Sequence, residues 1–166
     1  MVNATAAAVP RLRSSPYETV NVMNQSILTT SARTVLRLVT GFLFAAHGWQ
    51  KFNEFTIAGT QASFVKMGVP AAEVAAPAIA TLELVGGLAL ILGVLTRVFA
   101  ALLALDMLGA LVLVHAPAGV FAANGGYELV LILAAAAMAV ALVGAGKVSA
   151  DKVLFGRHGS KLSILA

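Results

Sequence analysis

Seven ionisable residues stand inside, or at the edges of, long apolar runs of this sequence: Arg37, His47, Lys51, Glu83, Asp106, His115 and Glu128. A charge at the centre of a membrane helix costs about 2.5 to 3.5 kcal/mol, so such residues turn toward a protein interior or a cavity and find partners there. Carboxyl groups, cations and an imidazole gathered in a low dielectric can do three things. They can hold the polar atoms of a small ligand, relay protons, or pair across helices and fix their register. Two carboxylates at one depth cannot both stay ionised cheaply, so Glu83 and Asp106 need a cation or a proton between them.

Other chemistries are excluded or disfavoured. The chain has no cysteine, so it forms no disulfide and holds no cysteine-ligated cluster, and electrons for any redox role come from a bound cofactor or a partner. Three histidines without ligand spacing do not suggest zinc. His115 falls about 180° from Asp106 around an ideal helix, on the face opposite the polar stripe, which argues against a haem held between histidines.

The elements that carry these residues follow from hydropathy. With 60% hydrophobic residues, 11% charged residues and a mean hydropathy of +0.93, the chain lies outside the soluble range. About 20 helical residues cross the hydrocarbon layer. Four runs fit: 34–52, 74–95, 98–115 and 128–146, separated by Gly68 with Pro70, by the Thr96-Arg97 turn, and by Pro117 with Asn124-Gly125-Gly126. The expected fold is all-α, an antiparallel four-helix transmembrane bundle with N-in/C-in topology.

At 100° per residue the charges share faces with small residues. Arg37, Thr40, Gly41, Phe44, Gly48 and Lys51 form one stripe with His47 at its edge, and Ala76, Ala80, Glu83, Gly86, Gly87 and Leu90 form the second. Leu102, Leu103, Asp106, Gly109, Ala110 and Leu113 form the third, and Glu128, Ile132, Ala135, Ala139, Leu142 and Gly146 the fourth. The candidate ligand-binding or proton-relay residues are therefore Arg37, His47, Lys51, Glu83, Asp106 and Glu128. No catalytic residue and no metal site is assigned. The loop from Asn53 to Glu73 is expected to carry a short helix lying over the outer end as a partial lid.

Basic residues set direction. Arg11, Arg13, Arg33, Arg97, Lys147, Lys152, Arg157 and Lys161 fall on one side and only Lys51 and Lys66 on the other, which places both termini in the cytoplasm. Residues 1–33 read as a polar cytoplasmic tail, 34–146 as the membrane domain and 147–166 as a basic cytoplasmic tail near the anionic inner leaflet. The charge of +4 is a topology signal, not a nucleic-acid footprint.

The segments Leu82-Glu83-Leu84-Val85-Gly86-Gly87 and Leu92-Gly93-Val94-Leu95-Thr96-Arg97 resemble the central motif of the DoxX family of small bacterial membrane proteins. Arg37, His47-Gly48, Lys51, Gly68-Val69-Pro70, Asn124-Gly125-Gly126-Tyr127-Glu128 and Gly144-Ala145-Gly146 agree in order and spacing, from about Arg33 to Leu154. The resemblance implies a four-helix bundle in the bacterial cytoplasmic membrane. It also implies similarity to the small membrane subunit of a thiosulfate:quinone oxidoreductase, and to actinobacterial hubs that gather a superoxide dismutase and a sulfurtransferase into an oxidative-stress complex.

Residues and resemblance together suggest an accessory or hub subunit of an oxidoreductase system, with a quinone or similar amphipathic ligand held near His47, Glu83 and Asp106. Soluble redox enzymes at the cytoplasmic face and a second copy of the chain are candidate partners besides the lipid bilayer. Acting alone as an enzyme is disfavoured. The competing expectations are a small-molecule or proton-coupled carrier, and a scaffold whose buried charges are only structural. The absence of a clear internal repeat counts against common carrier designs.

Overall fold

The computed structural model describes residues 16–155, and no strand occurs among them. Six α-helices follow in order: α1 (Pro16–Asn53), α2 (Thr56–Lys66), α3 (Ala72–Leu92), α4 (Thr96–Ala110), α5 (Glu128–Val143) and α6 (Ala150–Phe155). A π-helical turn, Leu111–His115, continues α4 and is followed by two short 3-10 turns. Arg11, Arg13, Arg157 and Lys161 lie outside the described residues.

Three helical segments, Met23–Asn53, Ala72–Leu92 and Thr96–Ala118, are long and apolar enough to cross a membrane, and Glu128–Val143 is a shorter apolar helix. Many large apolar side chains point outward, among them Val35, Phe42, Leu105, Val112, Ile132 and Leu142. The buried set includes Arg37, Thr40 and Glu83. A soluble protein does not turn itself out in this way, and the arrangement suits lipid as the solvent. The chain is a multi-pass membrane protein.

α1 differs from expectation at its start. Residues 16–33, read from sequence as part of a polar tail, contain a helix that runs unbroken into the first span. Nothing between Pro16 and Gly41 interrupts it, and Thr29, Thr30 and Thr34 return their hydroxyls to the carbonyls of Gln25, Ser26 and Thr30 at 2.8, 2.8 and 2.9 Å. The polarity there does not end the helix. At 1.5 Å per residue a helix of 38 residues is roughly 57 Å long, well beyond the hydrocarbon thickness.

α1 and α3 run antiparallel in close contact. Arg37 of α1 meets the last turn of α3, whereas Lys51 at the far end of α1 meets Glu83. Glycines make the approach possible: a Cβ on Gly48 would stand 2.7 Å from the Leu84 Cα, and one on Gly41 would stand 2.7 Å from the Gly87 carbonyl oxygen. α4 packs on α3 and α5, and α5 closes back on α1. Phe44, Leu90, Ala100, Leu103, Ala104, Ala137 and Val140 fill the centre.

The fourth stripe does not lie where helical phase placed it. Ile132 and Leu142 are 66% and 72% exposed, and the buried face of α5 is Val130, Leu133, Ala134, Ala137 and Val140. The expectation took its phase from Glu128. That residue begins the helix and turns its Oε1 back to the Ala122 N–H at 2.7 Å, so its direction says nothing about the rest of α5. Of the third expected stripe, Leu103 is buried as expected, but Leu102 on α4 and Leu113 in the π turn are exposed, and Ala104 and Met107 join Leu103 in the core.

Candidate functional site

The Lys51–Glu83 pair sits in the wall of a cavity of about 550 Å³. α1 contributes His47 and Lys51, α3 Glu83, α4 Asp106, Met107 and Gly109, and the π turn Leu113 and His115. Leu129, Val130 and Leu133 of α5 form an apolar wall, while Phe64 of α2 and Met67 lie over the end of the cavity near Lys51.

The lid is anchored by a defect in α3. Pro77 has no N–H, so the Glu73 carbonyl four residues earlier loses its helical donor. The Gln61 side chain of α2 supplies that donor at 2.9 Å. The buried Thr60 donates to the Thr56 carbonyl at 2.9 Å and reaches the Lys51 carbonyl at 3.4 Å, which ties the same helix to the end of α1.

The cavity's polar groups are unequally committed. Lys51 donates to Glu83 Oε2 and neutralises it. His115 Nδ1 lies 2.7 Å from the Gly125 carbonyl, which can only accept, so Nδ1 carries the hydrogen and Nε2 is the free nitrogen. Asp106 Oδ2 is buried and has no hydrogen-bond partner among the described residues.

Four of the six residues singled out from sequence, His47, Lys51, Glu83 and Asp106, thus share one cavity. The other two do not. Arg37 is 2% exposed and is spent at the opposite end of the helices, donating to the carbonyls of Leu90 (2.5 Å), Ile91 (2.9 Å) and Val148 (2.7 Å). Glu128 caps the loop preceding α5, as described above. A stripe on a helix fixes direction, not depth: Arg37 shares a direction with Lys51 but lies at the far end of the helices, and Glu128 is held at the start of α5 by its contact with the Ala122 N–H.

His115 was placed on the wrong face, and the π turn is the cause. Hydrogen bonding at i→i+5 fits more residues into each turn, so each advances less than 100° and His115 rotates back toward the cavity. Pro117, two positions on, is the one hint of a disturbed helix end in the sequence.

At the end opposite the cavity, Asp151 of α6 accepts from the N–H groups of Leu95 (2.8 Å) and Thr96 (3.0 Å) and from the Thr96 hydroxyl (2.8 Å). It caps α4 from outside, and together with Arg37 it fastens the segment after α5 to the α3–α4 turn. No spacing rule signals a cap supplied from 55 residues away.

The DoxX family model matches residues 32–116, which span the cavity-lining parts of α1 to α4 and the π turn. The chain belongs to the DoxX family. Among relatives of this DoxX protein, "Putative oxidoreductase CatD" of Bacillus subtilis is 33% identical over 121 residues, covering 73% of this chain and 85% of the relative. A Haemophilus influenzae protein is 35% identical over 124 residues, covering 72% and 88% of the two chains. The Mycobacterium tuberculosis membrane protein Rv3486 is 41% identical over 78 residues, 47% of each chain. No solved structure is significantly similar.

Proposed function

We propose that this DoxX protein is a membrane subunit of an oxidoreductase system and that its cavity receives a small amphipathic redox molecule of the quinone class. The cavity carries the reading: about 550 Å³, mostly apolar, with a few polar groups converging at one side. Sites for small organic ligands have this size and make-up. A quinone ring needs flat apolar walls, which Met107, Leu133 and Phe64 offer, and polar groups near its oxygens, which His47, Asp106 and His115 offer. The name of the CatD relative is consistent with an oxidoreductase setting.

In the proposed arrangement α1, α3, α4 and α5 all cross the bacterial cytoplasmic membrane, with both ends inside and the lid on the outer face. Arg33, Arg97, Lys147 and Lys152 support this, because the Arg37 and Asp151 contacts gather their segments at one end, opposite Lys51 and Lys66. The chain's own residues bind and orient the ligand. With no cysteine to hold a cluster or run a thiol relay, the electrons come from a partner.

Gly109 supplies the test. It lines the cavity, and a Cβ there would meet nothing within 4 Å, so Gly109→Leu projects into empty space and not into a neighbouring helix. Protein purified from its own membrane and extracted with organic solvent is expected to yield quinone near one equivalent, and Gly109→Leu to yield almost none while keeping its thermal stability. Equal retention by the two proteins, or none by the wild type, would refute the reading.

A further inference from the structure

The hydrogen-bonding balance of the cavity selects among redox forms. Lys51 gives one of its three N–H bonds to Glu83 Oε2. Asp106 Oδ2, in contrast, is buried and unpartnered among the described residues. His115, with Nδ1 donating to Gly125, has in its neutral ring only an acceptor left at Nε2. Asp106 Oδ2, as a carboxylate oxygen, and His115 Nε2 are thus acceptors without donors, and a buried acceptor without a donor is costly. A quinone offers two more acceptors and relieves neither. A hydroquinone offers two hydroxyl donors.

We propose that the cavity is built for the hydroxylated, reduced form of its ligand, and that Asp106 is the specificity-determining residue, accepting a ligand hydroxyl at Oδ2. This rests on the cavity being a quinone-class site and adds which form it holds and by which residue. The selection requires Oδ2 to be the accepting oxygen, because an Oδ2 that carried the proton would donate to a quinone oxygen instead. Asp106 stands on α4 about one turn before Gly109, and both line the cavity with Met107. His47, across the cavity on α1, is free to serve the ring oxygen as donor or acceptor according to its tautomer.

The test is anaerobic calorimetric titration of the intact protein in nanodiscs with three probes of one shape: 2-methyl-1,4-naphthohydroquinone, its quinone, and its dimethyl ether. The hydroquinone is expected to bind about tenfold tighter than the other two, as suits one hydrogen bond to an ionisable group. Asp106→Leu, an apolar replacement of similar length, is expected to bring all three to parity, and Asp106→Asn, which can present an N–H₂ group, to shift the preference toward the quinone. A wild-type protein that binds the dimethyl ether as tightly as the hydroquinone overturns the proposal, as does Asp106→Leu with its preference intact. If all three probes bind equally and Gly109→Leu abolishes them, the quinone-class reading survives and the selectivity falls. If none binds, both fall.

Discussion

Lys51, in the last turn of α1, and Glu83, midway along α3, close an ion pair across 32 residues of sequence, and the two partners are unequally sheltered. The Lys51 side chain is 19% exposed and that of Glu83 only 4%. The asymmetry decides what breaking the pair costs.

Lys51→Met leaves a sheltered carboxylate with no cation and is expected to lower stability by about 3 kcal/mol, the lower end for a stranded buried charge. Glu83→Gln strands an ammonium on a flexible stem that reaches the outer water, so it should cost about 1 kcal/mol or less. The double variant is expected to recover most of the Lys51→Met loss, because two neutral groups need no counter-charge. Thermal unfolding in one detergent ranks the three. Equal losses from the single variants would show that the pair lies in a wetter place than its exposure suggests.

The glycines of the membrane helices divide into two kinds that the sequence does not separate. Gly48 and Gly87 exist for contact: a Cβ on Gly87 would stand 2.6 Å from the Gly41 carbonyl oxygen and 2.8 Å from the Ala45 Cα. Gly48→Ala and Gly87→Ala must push backbones apart and are expected to lose about 1 to 3 kcal/mol each. Gly109→Ala meets open space in the middle of a helix and should gain up to about 1 kcal/mol from better helix propensity. Stability of the three alanine variants, measured together, checks the contrast.

That division shows what was legible in the sequence. Polar residues in an apolar chain betray an interior, and small residues sharing their face betray close approach. His47, Lys51, Glu83 and Asp106 were therefore found from composition and phase alone. Arg37 and Glu128 were singled out for the same reason and lie outside the lining of that cavity, because phase carries no depth and does not describe a side chain at a helix start. His115 escaped because the extrapolation assumed 100° for every residue, and a π turn breaks that rule without a residue type that announces it. The roles of Gln61 and Asp151 are tertiary: each serves a backbone group far along the chain whose need is created by Pro77 or by the α3–α4 turn.

Asp151 is expected to hold the inner end closed. Leu95 adopts φ 45°, a left-handed conformation that a leucine enters only at a cost of about 1 to 2 kcal/mol, and Asp151 accepts from its N–H. Asp151→Ala removes three hydrogen bonds to the turn and should destabilise by about 1 to 3 kcal/mol. It should also free the segment after Lys147 for cleavage by a protease added to inside-out vesicles. Leu95→Gly, which relieves the conformation, is expected to restore part of the stability but not the protection. Unchanged cleavage in Asp151→Ala would mean that Arg37, through the Val148 carbonyl, holds the segment by itself.

The absence of cysteine allows the membrane orientation to be read one residue at a time. Between the cavity and Arg37 the buried side chains include Phe44, Leu90, Leu103, Val140 and Thr40, with no ionisable group among the described residues before Arg37, so water and protons should enter from the lid side only. Lys66→Cys, beside the lid, is expected to react in intact cells with a charged, membrane-impermeant maleimide; Gly109→Cys, inside the cavity, to react more slowly; and Lys147→Cys, at the opposite end, only after the cells are opened. Placing Cys on Gly109 meets no neighbour, so slow labelling there reports access and not misfolding. Labelling of Lys147→Cys in sealed cells would reverse the orientation. Labelling of Gly109→Cys from both sides would show a passage through the plug and favour a carrier over a one-sided site.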